Sequence, residues 1–261
     1  LNSRIYHQTG VREHGRREMV HSEEALRLTR KVKEKALSSG ADLVGIISTE
    51  SIDAVPRHWV GWEVQAYTKK SGDYMEDPKS IVVLGFHAWD DVHEIALMRG
   101  DTIEYPAYQR MRLYSRRVQR FLEGLGHRAI MYPYLLSQKR MAQLAGLGNY
   151  GKNSLIINPR YGPWIRLHSI LTDADLVPDE PFEDDLCGDC EECVKACPVG
   201  AITPYRVDPD RCIVGMYYPG REISSNLRPI FDEYMPKLSE NSVLMCMACQ
   251  KACPYGREER N

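Results

Sequence analysis

All eight cysteines of this 261-residue chain lie in its last 75 residues, and their spacing limits what that region can fold around. They run Cys187-x2-Cys190-x2-Cys193-x3-Cys197-Pro198, then Cys212, then Cys246-x2-Cys249-x3-Cys253-Pro254. Runs of this kind hold [4Fe-4S] clusters, and the cysteine before proline reaches across to the neighbouring cluster. The spacing therefore predicts Cys187, Cys190, Cys193 and Cys253 at one cluster, and Cys197, Cys212, Cys246 and Cys249 at the other. Zinc ligands come as separated pairs that close one tetrahedron, which four cysteines in an eleven-residue run do not do. Disulfides suit small secreted domains with little core, and no secretory leader is read here. Two one-electron centres side by side make electron transfer the expected task.

The chain is 43% apolar, enough for a substantial core. Its cysteine-free first part reads as a separate unit, giving an arm at 1–20, an α/β domain at 21–180 and a cluster domain at 181–261. The arm is polar and basic, with Arg4, Arg12, Arg16 and Arg17 and no apolar stretch, so the expected setting is cytoplasmic. A net charge of -2 offers no electrostatic footprint for nucleic acid. No run approaches the roughly 18 apolar residues of a membrane helix. Ser22 as N-cap, followed by Ala25, Leu28, Val32 and Ala36 at helical spacing with Gly40 as the stop, predicts a first helix. Residues 41–47, 80–86 and 127–131 read as strands, and 108–125 and 141–146 as helices, an alternation that packs helices on a sheet.

Between residues 145 and 176 further motifs stand in order: Ala145-Gly146-Leu147-Gly148-x2-Gly151-Lys152-Asn153, then Gly162-Pro163-x2-Arg166, then Thr172-Asp173-x2-Leu176. The glycines permit close approach of backbone to a large ligand, although the stretch is neither a Walker A loop nor a dinucleotide fingerprint. Together with the cysteine runs, this series resembles the cobalamin-dependent reductases that include reductive dehalogenases and epoxyqueuosine reductases. The resemblance implies an α+β architecture: a nitroreductase-like α/β domain holding a corrinoid without a protein ligand to cobalt, fed by a ferredoxin-like domain with two [4Fe-4S] clusters. It further implies Gly146, Leu147, Gly148, Gly151, Lys152 and Asn153 lining the corrinoid, with Thr172 and Asp173 helping to join the two halves. A flavin is the other cofactor that such a fold accepts.

Three departures shape the expected function. Tyr132 stands where epoxyqueuosine reductases carry a proton-donating aspartate, about sixteen residues before the end of the glycine motif. The helical repeat region of the tRNA-modifying enzymes is not seen after Cys253, and the Gly162-Pro163-x2-Arg166 form matches the dehalogenases. These features predict a dehalogenase-like reductase of a small organic substrate, drawing electrons from an external ferredoxin or flavodoxin, with no nucleic acid or membrane partner and a homodimer as the assembly. The alternatives are an electron-transfer protein that reduces the corrinoid of a partner protein, and an epoxyqueuosine reductase-like tRNA-modification enzyme. Reduction at cobalt needs a proton source, and a tyrosine beside a cation suits that role, so Tyr108 and Tyr132 are the candidate donors with Lys152 or Arg166 as the cation. Asp91-x-His93 reads as an exposed helical turn, the run Arg110, Arg112, Arg116, Arg117 and Arg120 as a solvated helix face, and Trp59, Trp62 and Trp89 as core packing.

Overall fold

The computed structural model describes residues 22–60, 66–100, 102–217 and 225–260; the expected arm and Trp62 lie outside these described residues. Residues 81–86 are apolar or glycine without interruption and so offer no face to water. They form the strand Ser80–His87, buried from residue 80 to 86. It pairs antiparallel with Leu43–Ser48 on one side and Ile165–Thr172 on the other, so that Val82 faces both Ile46 and Ile170. Ala129–Met131 completes this sheet beside Ile165–Thr172. Side chains alternate across the strand. Ile81 and Val83 pack with Met141, Ala142, Leu147, Ile156 and Leu171 beneath the short helix Gln138–Leu144. Val82, Leu84 and Phe86 pack on the opposite face with Val32 and Ala36 of helix Glu23–Ser38 and Met111, Val118 and Leu122 of helix Pro106–Gly124.

Local chemistry sets the helix ends. The Ser22 hydroxyl accepts a hydrogen bond from the Ala25 N–H at 3.1 Å, and Glu23 and Glu24 occupy the first turn, where the helix dipole favours them. The chain leaves this helix through Gly40 at φ +111, where a Cβ would sit 2.7 Å from the Tyr114 ring. Pro106 opens the second long helix, a position where its missing N–H has no cost.

A second sheet joins residues on both sides of position 180. Its order is Lys237–Ser239, Ser242–Leu244, Ile95–Arg99 and Thr102–Glu104. Ala96 packs there with Ile213, Phe231, Met235, Val243 and Met245, so the cysteine-rich region has an apolar core in addition to its thiols. The Asp91-x-His93 turn is the 3-10 helix Asp91–Glu94, and it is a tie between the halves: Asp91 pairs with Lys251 at 2.7 Å and with Arg260. Farther along, the Asp179 carboxylate accepts from the Ile46 N–H at 2.8 Å and pairs with Lys33, fastening the connecting segment to the first sheet.

Trp59 and Trp89 are 51% and 42% exposed, so neither fills the core that was expected of them; Trp59 instead meets Tyr67 edge to face at 5.2 Å on a short hairpin. Arg112, Arg116, Arg117 and Arg120 are exposed along helix Pro106–Gly124, while Arg110 is half-buried with its guanidinium 5.5 Å from the Tyr114 ring. Among the described residues no helix is long and apolar enough to cross a membrane.

Candidate active site

The two cysteine runs fold alike. The Cys190 N–H closes a turn on the Cys187 carbonyl at 2.8 Å through Gly188 at φ +45. The short helices Glu192–Lys195 and Ala248–Lys251 lie within the runs, carrying Cys193 and Cys249, and pack against one another. Cys187, Cys190, Cys193 and Cys253 line one open cavity together with Lys152, Asn153 and Ile157. The other four form a second electrostatic group. Burial first, then the neighbouring Cys246, Cys212, Cys193 and Cys197, pushes the Cys249 thiol far up, and burial with Cys212 and Cys197 raises Cys246 to about 11. All eight are free thiols. Burial and neighbouring thiols disfavour the charged thiolate in each group, and iron, which binds the thiolate and releases its proton, supplies the positive charge that offsets this. Among the described residues no three His, Cys, Asp or Glu side chains converge as ligands of a single ion would. The first group surrounds a space, and its cation Lys152 and the unpaired buried amide nitrogen of Asn153 fit an anionic group with sulfur acceptors.

The glycine motif is packed differently from the expectation. A Cβ at Gly146 (φ +73) would meet the Glu180 carbonyl oxygen at 2.8 Å, one at Gly148 (φ +147) the Ile157 carbonyl oxygen at 2.3 Å, and one at Gly151 the Ile157 side chain at 2.5 Å. The room that each glycine leaves is filled by this chain itself, and Leu147 is buried in the core. Lys152 and Asn153 do reach a cavity, and it is the one the cysteines line. Thr172 and Asp173 act within the α/β half and do not bridge to the cysteine region. The Thr172 hydroxyl donates to the Arg128 carbonyl at 2.7 Å, and Asp173 accepts from the Arg128 N–H at 2.9 Å and its Nε at 2.7 Å. Both are engaged in holding the sheet edge.

Of the proposed proton donors and cations, the structure brings Tyr108 and Arg166 together. Arg166 forms an ion pair with Glu94, which is only 3% exposed. Burial works to lower the Arg166 pKa, but Glu94, Tyr108 and Tyr105 together hold it above the ordinary value. Tyr108 is 42% exposed, with its ring 5.2 Å from Tyr105. The Glu94 carbonyl in turn accepts from the Met245 N–H at 3.0 Å, immediately before Cys246.

Lys139 extends this line of charges. It is an exposed residue whose amine donates to the Ser154 carbonyl at 2.7 Å, and the protein packed around that end lowers its pKa, with Cys249 opposing this and Arg166 adding to it. Tyr108 and Glu94 thus bear on the charge of Arg166, and Arg166 and Cys249 on that of Lys139. Gln138 Oε1 and His93 Nε2 are buried without partners close in sequence to Lys139 and Glu94, and a macrocycle rimmed with amide groups, such as a corrinoid, fits such orphaned atoms.

Tyr132 packs beside His168. At φ +50 it directs its N–H to the Ser169 carbonyl at 2.7 Å, and its ring is 4.9 Å from His168, whose pKa burial, then Arg112, pushes down to about 4. Glu94 and Lys139 were not anticipated from the sequence. Neither lies in a motif, and each acquires its role from partners distant along the chain.

The family model of a 4Fe-4S double cluster binding domain matches residues 186–256. An epoxyqueuosine reductase of Synechococcus sp. (strain RCC307) is 30% identical over 248 residues, covering 87% of this chain and 74% of that protein. An epoxyqueuosine reductase of Listeria monocytogenes matches more locally, at 36% identity over 123 residues, covering 47% of this chain and 30% of that protein. Among solved structures, an epoxyqueuosine reductase crystallised with an epoxyqueuosine-modified tRNA-Tyr stem loop gives a TM-score of 0.70 at 20% identity, covering 90% of this chain and 67% of that one. The catabolic reductive dehalogenase NpRdhA, in complex with 3-bromo-4-hydroxybenzoic acid, gives 0.61 at 18% identity, covering 91% of this chain and 33% of that one.

These findings overturn two expectations. The dehalogenases are the more distant likeness, so a dehalogenase-like reaction is not supported. Arg166, which suggested it, is held as half of a buried ion pair with Glu94, and that pairing requires an arginine whatever the substrate. A small-molecule substrate without nucleic acid fails as well, since the matching relatives are named for epoxyqueuosine and one was solved with a tRNA stem loop. A net charge of -2 averages over the whole chain and conceals the exposed arginines of helix Pro106–Gly124. A mixed α/β fold with a C-terminal [4Fe-4S] domain fits this chain, as does a cofactor set of two [4Fe-4S] clusters with cobalamin. The chain belongs to the epoxyqueuosine reductase family.

Proposed function

We propose that this protein is a cobalamin- and iron-sulfur-dependent reductase that acts on epoxyqueuosine in tRNA. The observation that supports it most is the cavity that Cys187, Cys190, Cys193 and Cys253 line together with Lys152 and Asn153, in a chain that matches an epoxyqueuosine reductase over 87% of its length. The reaction removes the epoxide oxygen as water, consuming two electrons and two protons and leaving a carbon–carbon double bond. When bound, cobalamin supplies a strongly reducing, nucleophilic cobalt. The chain's own residues carry the remaining tasks. The two cysteine groups hold the clusters, with Cys187, Cys190, Cys193 and Cys253 at one and Cys197, Cys212, Cys246 and Cys249 at the other. Lys139 and Arg166 balance the negative charge of the second cluster. Tyr132, at the position of the family's aspartate, donates a proton to the departing oxygen, with the neutral His168 ring beside it.

On this reading the α/β unit is nitroreductase-like and takes the cobalamin, and the hairpin of residues 95–104 couples it to the cluster unit. The exposed arginines 112, 116 and 120 suit tRNA phosphates, and the exposed Trp59 and Tyr67 suit unstacked bases. The setting is the cytoplasm, where tRNA is modified. The test is to purify the protein anaerobically, reconstitute its clusters, add hydroxocobalamin and wash, then titrate with an anticodon stem loop carrying epoxyqueuosine. Stoichiometric retained cobalt and saturable stem-loop binding are expected. Cobalt that washes away from fully iron-loaded protein would sink the proposal.

A further inference from the structure

The cavity lined by Cys187, Cys190, Cys193 and Cys253 receives Lys152 and Asn153 from the glycine motif, while Ile157, Leu186 and Pro254 supply apolar wall. Asn153 is 3% exposed, and its Oδ1 accepts from the Leu155 N–H at 3.1 Å. That contact fixes the amide's orientation, because the reversed side chain would turn its NH2 group toward another N–H. Asn153 Nδ2 is therefore a donor, and it is buried with no acceptor. Such groups are rare because leaving a buried donor unpaired is costly.

The loop is also held firmly against the cysteine run. The Tyr205 N–H donates to the Lys152 carbonyl at 3.0 Å, the Tyr205 hydroxyl donates to Asp185 at 2.7 Å, and Asp185 accepts from the Cys187 N–H at 2.9 Å. A bound cluster brings sulfur acceptors and negative charge to the place where a buried donor has no acceptor and where Lys152 lines the wall.

We infer that Asn153 donates a hydrogen bond from Nδ2 to a sulfur of the cluster held by Cys187, Cys190, Cys193 and Cys253, and that with the Lys152 cation it raises the reduction potential of that cluster. Reduction adds one electron and one negative charge to the cluster. A hydrogen bond to sulfur and a nearby ammonium both stabilise the reduced form more than the oxidised one. The pair thus serves the cluster, whereas the sequence motif pointed to the corrinoid.

The test is a redox titration of the cluster-loaded protein with dithionite, followed by electron paramagnetic resonance. Asn153→Asp keeps the acceptor that Leu155 needs and replaces the donor. One of the two one-electron steps should then move to more negative potential. At fixed potential the reduced-to-oxidised ratio of that cluster should fall about tenfold, which is about 59 mV for a one-electron couple. The other step should stay. Lys152→Met should move the same step in the same direction, and it carries the test alone if the aspartate variant does not load iron. Both steps at their parent potentials with full iron content would overturn the inference, as would an equal movement of both. The readout needs neither tRNA nor cobalamin, so it can fail while the proposed function stands, and the reverse.

Discussion

Replacing Glu94 by alanine tests the buried ion pair that lies beside the second cysteine run. Glu94 is 3% exposed and the Arg166 side chain 20% exposed, so the variant leaves a largely buried guanidinium without its counter-ion. Breaking a buried pair from one side costs about 3–5 kcal/mol. Two features put this pair at the lower end, about 3 kcal/mol: the fifth of Arg166 that water still reaches, and the unpaired Glu94 Oε1, which shows that the carboxylate is not fully satisfied even now. For a chain of this size that corresponds to a fall in Tm of roughly 6–12 °C. The double variant Glu94→Leu with Arg166→Met removes both charges at similar volume and should recover most of the loss, because the desolvation penalty disappears with the pair. The assay is thermal unfolding followed by circular dichroism, with all proteins at equal iron content. A loss below about 1 kcal/mol, the range of surface pairs, would refute the reasoning. So would a double variant no more stable than Glu94→Ala.

Other consequences follow from single sites. If the side chain at position 132 donates the proton, Tyr132→Phe should slow conversion of epoxyqueuosine at least about 100-fold while Tyr132→Asp retains it; equal rates for parent and phenylalanine variant would remove Tyr132 from the chemistry. Gly148→Ala adds a Cβ at φ +147, 2.3 Å from the Ile157 carbonyl oxygen, and should cost of order 1–3 kcal/mol by chemical denaturation, whereas a neutral outcome would mean the loop yields freely. His168 has a folded pKa of about 4 against 6.5 normally, so between those values the unfolded chain binds a proton that the folded chain does not. Stability should therefore drop by about 3 kcal/mol as pH falls from 6.5 to 4, and His168→Gln should lack that part of the slope in urea titrations.

The elements whose causes are local were the legible ones. Ser22, the 3.6-residue spacing of Ala25, Val32 and Ala36, and Gly40 marked the first helix, and the unbroken apolar run 81–86 marked the central strand. The cysteine spacing named the eight thiols, four of which meet in one cavity. What stayed hidden depends on partners remote in sequence. Nothing in Ile95–Arg99 announces that it pairs with Ser242–Leu244, and Glu94 lies 72 residues from the arginine that gives it meaning. The glycines were ambiguous for a different reason. A glycine records that something comes close, but not what, and at positions 146, 148 and 151 it is the chain itself. Trp59 and Trp89 misled because their apolar surface reads as core, whereas the fold leaves both exposed.

The most direct measurement is to incubate the cluster- and cobalamin-loaded protein anaerobically with reductant and tRNA that carries epoxyqueuosine, then digest the tRNA and weigh its nucleosides by mass spectrometry. Conversion to queuosine, lighter by one oxygen atom and abolished without cobalamin, is the predicted result. Epoxyqueuosine that remains unchanged, under conditions in which an authentic family member converts it, would contradict the proposed function.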